Sequence, residues 1–115
     1  MASPRTWNKT ISVTDVASTA AIPGASATPF GPSTIYAFNS DTTNAVYITI
    51  TFIGGTTTTA TTATATNDGV SWLIPAGKEH AFNLNSQNAI DMYSISAICA
   101  SGKTATLILN AIQAM

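Results

Sequence analysis

Charge is what this sequence has least of. Nine of its 115 side chains are Lys, Arg, Asp or Glu, 8% of the chain, against roughly 25% in an ordinary globular domain. The shortage removes most of the raw material for acid–base catalysis. The four cations, Arg5, Lys9, Lys78 and Lys103, are scattered singly, whereas a phosphate-binding surface needs them clustered, so nucleic acid is not an expected partner. The single histidine, His80, excludes a multi-histidine zinc site within one chain. The single cysteine, Cys99, excludes an intrachain disulfide. Set between Ile98 and Ala100, it reads as a small buried apolar residue with no nearby cation to activate it. Long hydrophobic runs are missing too. No segment approaches the length of a membrane span, and the opening Met-Ala-Ser-Pro-Arg-Thr-Trp-Asn has no apolar stretch of the kind a signal peptide needs. The expectation is a protein that folds in a cytoplasm, stays soluble and has no membrane partner.

What fills the space is Thr, Ala and Ser, in a chain that is 45% hydrophobic. That much apolar material at this length predicts one folded domain. A net charge of −1 offers little self-repulsion and tolerates close association.

The apolar residues recur with period two. From Thr10 to Val16 the chain alternates around Ile11 and Val13. Residues 17–33 carry Pro23, Gly24, Pro29, Gly31 and Pro32 and read as an extended loop. STIYAFN (33–39) and AVYITITFI (45–53) are rich in β-branched and aromatic residues, separated by a turn composition at 40–44. They predict an antiparallel hairpin in which Val46, Ile48, Ile50 and Phe52 share the buried face. Residues 56–66 are only Thr and Ala; they read as a surface loop or as a flat hydroxyl-rich strand that docks in an assembly. Val70, Trp72 and Ile74 alternate in the next strand, with Trp72 expected in the core. Pro75-Ala76-Gly77 stops it, and HAFNLN (80–85) follows. IDMYSISAICA (90–100) and TATLILNA (104–111), joined through Ser101-Gly102-Lys103, predict a last hairpin. No segment keeps helical spacing with capping signals. The count predicts an all-β fold, an antiparallel β-sandwich or jelly-roll-like barrel of seven to eight short strands. An N-terminal arm and first strand would span residues 1–16, with the sandwich over 17–115.

Catalytic constellations are missing as well. Asp41 and Asp68 lie in turn sequences, where Asp bonds its own backbone. Glu79 and His80 are neighbours on an alternating segment and so point to opposite sides. No Gly-x-Ser-x-Gly elbow occurs, and Gly102-Lys103-Thr104 lacks the earlier glycine and the following helix of a phosphate loop. The reading is a non-enzyme, with no cofactor and no metal. Tyr36 and Tyr47 read as a cross-strand pair in the first hairpin. Trp7, beside Pro4 and Arg5, is an aromatic on a polar arm with no local apolar partner: it either docks onto a neighbouring subunit or another protein, which makes these three the candidate protein-contact residues, or folds back onto its own domain.

Four segments together resemble small β-sandwich virion proteins of tailed bacteriophages. They are Ile22-Pro23-Gly24 to Gly31-Pro32, Thr34 to Asn39, Trp72-Leu73-Ile74-Pro75-Ala76-Gly77, and Ile95-Ser96-Ala97 with Ala100 to Leu107. The likeness covers about residues 20–110. It implies a structural virion protein, a capsid decoration or minor head protein that binds and reinforces the shell as an oligomer. Its partners would be copies of itself and other virion proteins such as a major capsid protein. The alternative expectation is a carbohydrate-binding or receptor-binding module at a tail or spike, for which Asn83, Asn85, Gln87 and Asn88 near Phe82 supply amides.

Overall fold

The computed structural model describes residues 6–22, 32–53, 62–65, 71–84 and 92–113. They form eight strands: β1 Thr6–Val13, β2 Ser18–Ile22, β3 Pro32–Asn39, β4 Val46–Ile53, β5 Trp72–Ile74, β6 Glu79–Asn83, β7 Met92–Ile98 and β8 Ala105–Gln113. One four-stranded sheet has the order β1-β8-β3-β6 and the other β2-β7-β4-β5. Every pairing is antiparallel. The partners β1–β8, β2–β7, β3–β6 and β4–β5 are what a long antiparallel ribbon gives when it wraps around a core. The protein is a jelly roll, the two-sheet member of the sandwich class.

Period-two patterning builds the core. Val13, Ile35, Ala37, Val46, Ile48, Ile74, Ile95, Ala97, Leu107 and Leu109 are each at most 1% exposed, and all lie on the inner faces of the two sheets. Ile50 packs against them, as the alternation in β4 predicts. Cys99 is buried with them.

Two expected hairpins are not hairpins. β3 and β4 lie in different sheets, as do β7 and β8. The 40–45 and 99–104 connections cross the sandwich from one layer to the other. The physical reason is that turn composition fixes a reversal of direction, not the sheet in which the next strand finds partners. Tyr36 therefore does not pair with Tyr47. Tyr36 stands opposite Ala81 and Asn110, and Tyr47 opposite Leu73 and Ile98.

The N-terminal arm is also corrected. The first strand begins at Thr6, not Thr10, and runs in register with β8 so that Trp7 faces Ala111. The sequence hid this because Trp7 is followed by Asn8, Lys9 and Thr10, and the alternation becomes apolar only at Ile11. Lys9 occupies an inward position between Trp7 and Ile11 on this edge strand, yet is exposed. An inward-set charge on an edge discourages another strand from adding there.

Candidate functional site

Four connections gather at one end of the sandwich: residues 14–17, 40–45, 75–78 and 99–104. Polar bonds lock them together. Asn39, fully buried, donates from its side-chain amide to the carbonyl oxygens of Asn44 (2.9 Å) and Ile74 (3.1 Å) and accepts from the Asp41 amide at 3.1 Å. Its backbone amide donates to Lys78 O and its carbonyl accepts from Gly77 N, both at 2.9 Å. Gly77 and Gly102 have φ of 71° and 75°, and Lys78 and Lys103 each donate back three residues, to Pro75 O and Ala100 O. These are turns that demand a left-handed residue in third place.

The carboxylates at this end are engaged with backbone. Asp41 accepts from the amides of Thr43 (2.9 Å) and Asn44 (2.6 Å). These two bonds, Asn44's the stronger, hold its carboxyl below the ordinary aspartate range. Asp15 accepts from the Gly102 amide at 2.9 Å, tying the first connection to the last. The turn role expected of Asp41 is what the structure contains; Asp68 lies outside the described residues. Burial pushes the Cys99 thiol up, and the negative charges of Asp41 and Asp15 push it further the same way, so Cys99 is a poor nucleophile. Among the described residues no group of three His, Cys, Asp or Glu side chains could hold a metal ion.

The main exposed aromatic feature lies along the open edge between β5 and β6. Trp72 is 52% exposed, which corrects its expected place in the core. It has the inward parity of Ile74, but β5 is a three-residue edge strand, so the indole reaches past the core to the rim. There it stacks on His80 of β6, with centroids 4.4 Å apart and planes 28° apart. Phe82 meets both rings edge-on, at 6.2 Å from Trp72 and 4.6 Å from His80. Leu73, on the outer side of β5, is 47% exposed. Trp72, His80 and Phe82 form a small aromatic platform at this edge. It suits stacking or packing and holds no paired acid and base. As expected, His80 turns inward while the neighbouring Glu79 faces out. The stack itself was not legible, because the partners lie on edges of different sheets.

Of the candidate contact residues, Pro4 and Arg5 lie outside the described part. Trp7 is half-buried and packs against the core cluster, so it belongs to its own domain's edge.

The Thr/Ala stretch has a role that sequence reasoning missed. Its described part, 62–65, lies over the outer face of the β2-β7-β4-β5 sheet. Ala63 is 3% exposed and donates its amide to Ser96 Oγ at 2.9 Å. Thr64 donates its amide to Ser71 Oγ at 2.8 Å, and Ser71 Oγ lies 3.0 Å from Thr49 Oγ1. Ser94, Ser96 and Thr49 are all buried although they point away from the core. Small hydroxyl side chains there leave room for a strap and bond to it. The stretch thus docks on its own sheet at these residues instead of standing free or waiting for a partner.

Comparison with known protein families and with curated proteins returned no match.

Proposed function

We propose that this protein is a non-enzymatic structural subunit of a virus particle of the tailed-bacteriophage kind, a capsid decoration or minor head protein. It would fold in the host cytoplasm and then add to the shell as an oligomer, binding copies of itself and a shell protein. The observation that carries the reading is the eight-stranded jelly roll, an architecture shared by virus capsid and lectin domains. This is a likeness of architecture, not of sequence. Chemistry agrees with it: Asp15 and Asp41 serve turns, the Cys99 thiol is buried, and few charges remain.

The mechanism would be cementing. A rigid sandwich laid across joints between shell subunits buries area at each joint and raises the cost of opening the shell. A contact of about 800 Å² per partner is the usual scale, and several weak contacts on one oligomer multiply. Mass spectrometry and labelling of purified particles test the assignment: the chain should be a stoichiometric component at fixed positions. Its absence from particles would overturn it.

The Trp72–His80–Phe82 platform favours a second reading, a carbohydrate-binding module. An exposed indole stacks on sugar rings, and His80 and Phe82 extend its aromatic surface. A glycan screen separates the two readings. Binding that Trp72→Ala abolishes would favour the module.

A further inference from the structure

The two outer faces of the sandwich are unlike. That of β2-β7-β4-β5 is covered at Ser96 by the chain's own strap, which also bonds to Ser71 beside Thr49. Among the described residues no segment lies over that of β1-β8-β3-β6, and its composition is unusual. Its central rows hold Tyr36 and Phe38 of β3 beside Ile108, Asn110 and Ile112 of β8, with Ile112 38% exposed. Hydroxyl and amide residues surround them. Among the described residues the one charge on the face is Glu79, at the start of the outermost strand β6. Other described charges, Asp15, Asp41, Lys78 and Lys103, sit in the connections at one end, and Lys9 sits on the inward side of β1.

We propose that this open face is where a second copy of the chain docks, face to face about a twofold axis. The inference rests on the reading of the protein as a self-associating structural subunit, and names the surface. Three arguments select a second copy. The first is charge. An aromatic and aliphatic centre, neutral hydrogen-bonding groups around it and a lone carboxylate at the rim is the composition of a protein–protein contact. A twofold axis sets each such neutral surface against its twin without burying a charge. The second is area. β8 has nine residues; at about 3.3 Å each it is about 30 Å long, and four strands about 4.8 Å apart are about 19 Å wide. The projected face is on the order of 500 Å², and side-chain relief brings its accessible area toward the roughly 800 Å² per partner of a stable contact. The third is the edges. β1 is guarded by Lys9, and β2, β5 and β6 have only five, three and five residues, too short for strong strand addition. Association is left to the face, where sheets stack about 10 Å apart as they do inside a sandwich.

The test is sedimentation of the full chain and three variants over a range of concentration and salt. Asn110 is exposed and polar, so Asn110→Lys is compatible with folding; Tyr36→Lys is a second probe, and circular dichroism checks both. Thr42→Lys adds the same charge at the stapled end. The wild type and Thr42→Lys should dimerise alike, and salt should change little. Asn110→Lys and Tyr36→Lys place like charges at the centre of the contact and should weaken association on the order of a hundredfold. A monomeric wild type, or folded Asn110→Lys that associates as the wild type does, overturns the proposal. The particle assignment fails separately. A chain found in virions but monomeric in solution refutes only the face, and a dimer broken by Asn110→Lys yet absent from virions refutes only the particle.

Discussion

The side-chain amide of Asn39 donates to the carbonyl oxygen of Ile74 at 3.1 Å, and that bond ties the end of β3 in one sheet to the end of β5 in the other. Asn39 is fully buried, yet both side-chain donors, its side-chain oxygen and both backbone groups are engaged. A satisfied buried network of this kind specifies one arrangement of the loops it joins. Asn39→Leu keeps the branched shape of the side chain, at somewhat larger volume, but leaves the carbonyls of Asn44 and Ile74 and the Asp41 amide without their partner. The expected loss is about 2–4 kcal/mol, read as a lower midpoint in denaturant unfolding. A variant within a few tenths of a kcal/mol of wild type would show that water replaces the amide.

The Asp41 carboxylate supports the same end through two backbone amides. Because its folded value is lowered, the stabilisation is present above the unfolded aspartate value of about 3.9. It is lost as pH falls through the lower folded value. Asp41→Asn should therefore be less stable than wild type at neutral pH, and the gap should close in strong acid. Parallel unfolding curves for the two proteins from about pH 7 to about pH 2 give that difference directly. A gap that stays constant with pH would mean that the charge contributes nothing.

How much of this was legible in the sequence follows from which interactions are local. Alternation in 46–50 and 105–111 gave the inward faces, since the side-chain period of a strand needs no partner. Asp41 was readable because the backbone amides that donate to it are two and three residues away. What is non-local stayed hidden. Nothing near Ser40 to Asn44 says that β4 will join β7 and β5 instead of β3, since that choice rests on pairing with residues some fifty positions on. Trp72 looked like core because alternation gives parity and not distance from an edge. Ala63 looked free because the hydroxyl that receives it, Ser96, lies 33 residues away.

Trp7 offers a simple check on the corrected N-terminus. It is half-buried beside Ala111 and packs on the core cluster, so Trp7→Ala should destabilise the isolated domain. Partial burial of so large a side chain is worth about 1–2 kcal/mol, enough to lower the melting temperature by several degrees. An unchanged melting temperature would restore the picture of a free arm.

The strap over the second sheet is held at Ala63, whose amide donates to Ser96 Oγ in a buried setting. Ser96→Ala removes the acceptor without adding volume. A buried amide left unpaired costs about 1–3 kcal/mol, which exceeds what one alanine methyl contributes by staying down, so the strap should lift at this point. The core beneath is shielded by Thr49 and by β7 itself and should not unfold. The signature is local: exchange of the Ala63 amide, slow in the wild type, should accelerate in Ser96→Ala while amides in β8 keep their protection. Ser71→Ala, which removes the acceptor for Thr64, should act in the same direction and add little once Ser96 is gone, because both bonds hold one segment. Were the wild-type Ala63 amide to exchange as fast as an unstructured peptide, the strap would not be docked. The second sheet would then present its own open face to partners, and the asymmetry that singles out the first would disappear.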